Sequence, residues 1–205
     1  MDLSPLPDSF DGDPFESSLS LLGIEPRSSG TFALHAEGDL ASAWEIWRET
    51  WFLPHLLPAF RDAHARGIHA RTRELHGIDR DLEDELTETL RVRSHAAAAE
   101  FFEGKTRMRG NPEWCRFAEG VAAGKSPGNL PVVHALQSAL YHVALAPAVT
   151  SYAWLEFRSR DEKAIASRPD PAERETFATI LPHLRVALAE ETGQDSEDSP
   201  RFRVV

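Results

Sequence analysis

Between Asp39 and Leu188 the apolar residues recur at the period of an α-helix, and no stretch alternates as a half-buried strand does. Leu40, Ala43, Trp44, Trp47 and Trp51 fall at i, i+3, i+4, i+7 and i+11, which is one helix face. Phe177, Ile180, Leu181, Leu184 and Leu188 make a second such stripe. A chain patterned this way buries its stripes by packing helix on helix. The expected fold is therefore all-α, a single bundle of six to eight helices.

Punctuation divides the pattern. Asp39 is placed to cap the first helix, and Pro54 and Pro58 are expected to break or kink the chain beyond it. A second helix is expected over 58–66, with Gly67 as its stop. The four-residue steps of Leu82, Leu86 and Leu90 predict one long helix over 79–103, capped by Asp79 or Asp81, with its early acids at the positive end of the dipole. Asn111-Pro112 starts the next helix, and Asn129 with Pro131 starts another. Ala146-Pro147 interrupts, and a helix over 148–166 comes after it. Asp170-Pro171-Ala172-Glu173 has the cap, the N1 proline and the N3 acid of a strong start, while Pro182 should bend or divide the helix after it.

The 205 residues suit one domain over 30–193, with an acidic flexible arm at 1–29, in which 18–24 reads as a short packed element, and a flexible tail at 194–205. The net charge of −11 sits mostly in these ends, with six acids and no lysine or arginine in 1–26 and five acids in 190–199. The body has no concentrated basic surface, so nucleic-acid binding is not expected. No run approaches the roughly 20 apolar residues of a membrane span, and no signal-peptide pattern opens the chain. Cys115 is the sole cysteine, which excludes an internal disulfide. A cytoplasmic protein is the expectation.

The chemistry-bearing residues form no recognised catalytic or metal pattern. Nine histidines include no pair at i, i+4, and His134 and His142 stand about two turns apart. His64, His69 and His76 read as part of an irregular region. The acids Glu83, Asp84, Glu85 and Glu88 read as a solvated helix face. Gly124-Lys125-Ser126 lacks the strand and spacing of a phosphate-binding loop. No catalytic residue, metal ligand or cofactor is assigned. The dense aromatic run Trp44, Trp47, Trp51, Phe52 is either core or an exposed surface that docks another protein.

Several strings, in order, resemble the UreF family of urease accessory proteins. Asn129-Leu130-Pro131-Val132-Val133-His134-Ala135 is similar to that family's His-x-Pro-Val-x-x-Gly, and Tyr152 with Trp154 resembles its Ala-Tyr-x-Tyr/Trp segment. Thr89-Leu90-Arg91-Val92-Arg93-Ser94, then Ala98, resembles Glu-Leu-Arg-x-x-Ser-x-x-x-Gly. Gly30-Thr31-Phe32-Ala33-Leu34-His35 is faintly like Gly-x-Phe-x-His-Ser. The resemblance spans about residues 28–188 and is that of a divergent member, with Asn129 for His, Thr89 for Glu, and Ala98 and Ala135 for glycines.

The resemblance implies an all-α scaffold, not an enzyme, and no cofactor of its own. It implies a nickel-insertion chaperone that bridges UreD (also called UreH) and the GTPase UreG on apo-urease, with homodimerisation as a further possibility. Partner binding is then expected at Phe32, His35, Trp47 and Tyr152, and at Arg201, Phe202 and Arg203 of the tail. Arg91, Ser94, Asn129 and Pro131 are expected to support packing or a dimer contact. Two other readings are a different helical chaperone that binds an apo-metalloenzyme or its leader peptide, and a small helical enzyme with an interior pocket.

Overall fold

The computed structural model describes residues 31–34, 38–104, 108, 110–160, 164 and 167–194. Among them there is no strand, and the chain forms an all-α bundle. A 3₁₀ turn at Thr31–Leu34 precedes α1 (Leu40–Trp47), a π-helical segment (Arg48–Leu56), α2 (Leu57–Ile68), α3 (Thr72–Glu85) and α4 (Glu88–Gly104). Then come α5 (Pro112–Ala122), α6 (Leu130–Leu140), α7 (Leu145–Arg158), α8 (Pro171–Ala178) and α9 (Leu181–Gln194). The arm at 1–29 lies outside the described residues, as does the tail beyond Gln194.

Three helices start at their expected caps. Asp39 accepts the Ser42 N–H at 3.0 Å. Asn111 accepts from the N–H groups of Glu113 and Trp114. Asp170 and Glu173 complete a reciprocal capping box. Each satisfies amides that the first helical turn leaves without a partner.

Pro54 does not break the chain. It lies in a π-helical stretch, where the Leu57 N–H bonds the Phe52 carbonyl five residues back. The wider turn absorbs the missing proline N–H and the clash its ring would cause in an α-helix. It also shifts the apolar register by one residue. Phe52 is wholly buried, whereas Trp51 is only half-buried.

The long helix expected over 79–103 is two helices. α3 begins at Thr72 and stops at Glu85, and Leu86 is extended at φ −83°, ψ 145°. Asp81, Glu83, Asp84 and Glu85 thus lie at the C-terminal end of α3, where negative charge opposes the dipole. The Arg91 guanidinium Nε donates to the Leu86 carbonyl at 2.8 Å and closes the break. Leu82, Leu86 and Leu90 still all face the core. α7 likewise starts earlier than expected, with Pro147 accommodated in its first turn. Pro182 divides α8 from α9.

The bundle is built around α6, in which every residue from Leu130 to Ala139 is buried. α2 packs along it more extensively than any other pair of elements, with α3, α4 and α7 also against it. Gly67 is not the stop of α2 but the point of closest approach. A Cβ there would lie 2.8 Å from that of Ala139. Toward the N-terminal side, the 3₁₀ turn, α1, α7 and α8 enclose an aromatic core. Trp44 stacks on Trp47 at 4.9 Å, Phe32 meets the Trp44 edge at 4.9 Å, and Trp154 meets Phe177 at 4.8 Å.

Candidate functional site

The aromatic residues expected on a docking surface are interior. Phe32, Trp47 and Tyr152 are fully buried, so the tryptophan-rich run is core. They do come together, around a residue that sequence reasoning passed over. Glu156 is also fully buried. Its carboxylate accepts the Tyr152 hydroxyl at 2.8 Å and the Phe32 N–H at 3.1 Å. It also accepts from Thr31, whose hydroxyl receives the Trp47 indole N–H at 3.1 Å. Burial pushes the Glu156 carboxyl above its usual range, and these hydrogen bonds pull partly back. Burial and the neighbouring Glu156 hold the Tyr152 hydroxyl protonated far above its ordinary range. The node therefore ties the N-terminal turn to α7. The one signal in the sequence is an acid four residues after Tyr152 inside an otherwise aromatic and aliphatic run. His35, Arg201, Phe202 and Arg203 lie outside the described residues.

The four residues assigned to packing meet at the start of α6. Ser94 of α4 accepts the Leu130 N–H at 2.9 Å. Asn129 does not cap its own helix with its side chain. Its amide instead donates to the Asp79 carbonyl at 3.2 Å and to Glu83 at 3.1 Å. Glu83 is thus no solvated face residue, since it also receives His95 at 2.8 Å and lies 3.8 Å from Arg91. Pro131 is buried in the first turn of α6.

Asp79 is the anchor of this junction, and it caps no helix of its own. It is fully buried in mid-α3. Its two oxygens take the N–H groups of Gly128 at 2.6 Å and Asn129 at 2.7 Å. Burial pushes its carboxyl up, and hydrogen bonds from Asn129, Gly128 and Ser126 pull it down. His76 Nδ1 lies 2.8 Å from the Ser126 hydroxyl, which joins the ring to this junction. Among the described residues the other ring nitrogen, Nε2, has no partner. His76 is in α3, not in an irregular region, and its ring stacks on Phe117 at 4.9 Å. Burial, together with the charges of Lys125 and Arg80, outweighs Asp79 and lowers its pKa.

The Nε2 edge of His76 sits over Gly120 of α5, where a built Cβ would lie 2.3 Å from the ring. His76 and Gly120 form part of the lining of an open cleft of about 840 Å³ between the start of α3 and α5. Arg71, Arg73, Arg116 and Lys125 also line it. The arrangement offers an oriented imidazole with a lowered pKa beside several cations. Sequence spacing could not bring His76, Gly120 and Ser126 together, because they lie on three different elements. Two other histidines are structural. His64 donates to the Val143 carbonyl at 2.8 Å, and His134 is buried among Phe60, Phe101 and Tyr152. No group of three His, Cys, Asp or Glu side chains is placed to hold a metal among the described residues. No described helix is long and apolar enough to cross a membrane.

Compared with family models, curated proteins and solved structures, the chain matches none of them.

Proposed function

We propose that this chain is a UreF-like scaffold of urease maturation, holding UreD and the GTPase UreG in one complex while nickel passes to apo-urease. The observation that carries this reading is the hydrogen bond from the Leu130 N–H to Ser94 Oγ, at 2.9 Å. It joins the two longest strings that resemble the family, Leu90-Arg91-Val92-Arg93-Ser94 and Asn129-Leu130-Pro131-Val132. The other two strings meet as well, where Phe32 donates to Glu156 one turn beyond Tyr152.

The scaffold works through its surface, not through the buried aromatics. In this reading the basic and aromatic tail residues Arg201, Phe202 and Arg203 grip UreD, and the helical body presents UreG. Nickel is the cargo of the assembly, not a resident cofactor of this chain.

Co-expression with UreD and UreG from the same organism, followed by size exclusion with light scattering, tests the reading. A stable complex that weakens when residues 195–205 are removed is the expected result. Separate peaks for all three proteins, together with full urease activity in a strain lacking this chain, would overturn it.

A further inference from the structure

We propose that the cleft between α3 and α5 binds a phosphate monoester of nucleotide size, a function independent of any role as a scaffold. Two features point to an anion, and a third points to the organic body that carries it. The first is charge. In a chain of net −11, the lining carries Arg71, Arg73, Arg116 and Lys125 against the carboxylates Glu74 and Glu119. Glu74 is already taken by Arg66 at 2.7 Å and by Arg71 at 3.6 Å. Arg116 pairs with Glu113 at 2.6 Å, and Glu119 stands exposed on the α5 side. Arg73 and Lys125 are exposed and have no carboxylate partner among the described residues.

The second feature is the start of α3. Arg71 sits at the cap position and makes no capping hydrogen bond, while the Thr72 hydroxyl donates to Glu113. The N–H groups of Glu74 and Leu75 already bond the Arg71 carbonyl, which leaves those of Thr72 and Arg73 without an intrahelical acceptor, at the positive end of a 14-residue dipole.

The third feature is independent of charge, and it is His76. The side chain is only 8% exposed, yet its Nε2 is unpartnered and faces the cleft over Gly120. Its ring is fixed by Ser126 on one nitrogen and Phe117 on one face. A ring nitrogen fixed in this way and without a protein partner suits a polar group on the body of an organic ligand. The volume agrees, because about 840 Å³ far exceeds a phosphate ion and lies in the range of small-molecule sites. Ala70, Gly120 and Ala123 leave a low floor for the body of such a ligand. Lys125 is held in place beforehand, since Arg80 donates to its carbonyl at 3.2 Å and Asp79 fixes Gly128 and Asn129 just after it. A loop ordered before binding loses little entropy when it binds.

Isothermal titration of the full chain with adenosine 5′-monophosphate, at physiological salt, tests the proposal. Saturable binding is expected, with adenosine and inorganic phosphate each at least about tenfold weaker, since each lacks half of the recognised chemistry. The Arg73→Ala/Lys125→Ala variant changes only exposed side chains and should unfold at the same temperature, yet bind at least about tenfold more weakly. No heat with the nucleotide, equal affinity for inorganic phosphate, or unchanged affinity in the variant would each overturn the proposal. So would a synthetic peptide of residues 1–26 that saturates the cleft while the nucleotide does not, because it would assign the cationic rim to acidic protein.

Discussion

Asp79 accepts the backbone N–H of Asn129 at 2.7 Å, across fifty residues of chain. The bond fixes the loop before α6 to the middle of α3, and with it the start of the most buried helix in the bundle. Because Asp79 has no exposure to water, the amides of Gly128 and Asn129 have no alternative acceptor. Replacing Asp79 with Asn keeps the volume but turns one oxygen into a donor that faces a donor. The loss should be about 2 kcal/mol, read by urea denaturation.

Gly67 and Ala139 test the α2–α6 contact. Adding a methyl at Gly67 places two Cβ atoms 2.8 Å apart and forces the helices to separate. Gly67→Ala should cost about 1–3 kcal/mol. Gly67→Ala/Ala139→Gly should recover part of that loss, a non-additive result that two independent sites would not give.

His64 predicts the slope of stability below neutrality. Burial lowers its pKa from the ordinary 6.5, outweighing the bond to Val143. As the pH falls below 6.5 the unfolded chain takes up a proton that the folded chain refuses. The contribution of His64 is thus present above 6.5 and lost on acidification toward its lowered pKa. His64→Gln should flatten the curve of stability against pH in that window, measured by denaturant midpoints at several pH values.

Glu156 predicts the opposite sign. Its carboxyl is raised above the ordinary 4.5 by burial. Its contribution is full below 4.5 and declines as the pH rises through the raised value, because the folded chain then holds the proton more tightly than the unfolded one. The stability of Glu156→Gln relative to the natural chain should therefore improve with rising pH across that window. A constant difference would show that the group does not titrate there.

Asp170 is the local control. Asp170→Ala removes the capping box of α8 at its exposed residue, while Glu173 of the box keeps its pairing with Arg160 and Arg158. The expected cost is about 1 kcal/mol, with the aromatic near-ultraviolet circular dichroism unchanged.

How much of the fold is legible in the sequence depends on the range of the forces involved. Asp39, Asn111 and Asp170 announce helices because a cap acts within three residues, and the stripe from Phe177 to Leu188 announces a buried face because the helical period is local. The break at Leu86 is not legible. The leucines on either side keep a four-residue step across it, and the acids that resemble a helix start stand at an end, with Glu83 held by Arg91, His95 and Asn129 from elsewhere. Pro54 reads as a breaker in sequence because a proline's cost is set by the hydrogen-bond pattern around it, and a π turn changes that pattern. The aromatic residues are visible in the sequence, but burial is a property of the assembled bundle, and one helix alone does not say which side of it faces water. Glu156, Asp79 and His76 escape for the same reason, since each is defined by partners on other elements.

The position of Phe32 bears on how the chain is made. Its N–H waits for Glu156, which comes 124 residues later. At about 5–20 residues per second, a ribosome delivers that acceptor roughly 6–25 s after Phe32 is joined to the chain. Through that interval Trp44 and Trp47 have been made but lack Phe157 and Phe177, the rings that enclose them. The early-made aromatics are thus the surface that a nascent-chain chaperone would meet first, and the bundle closes over them only near the end of synthesis.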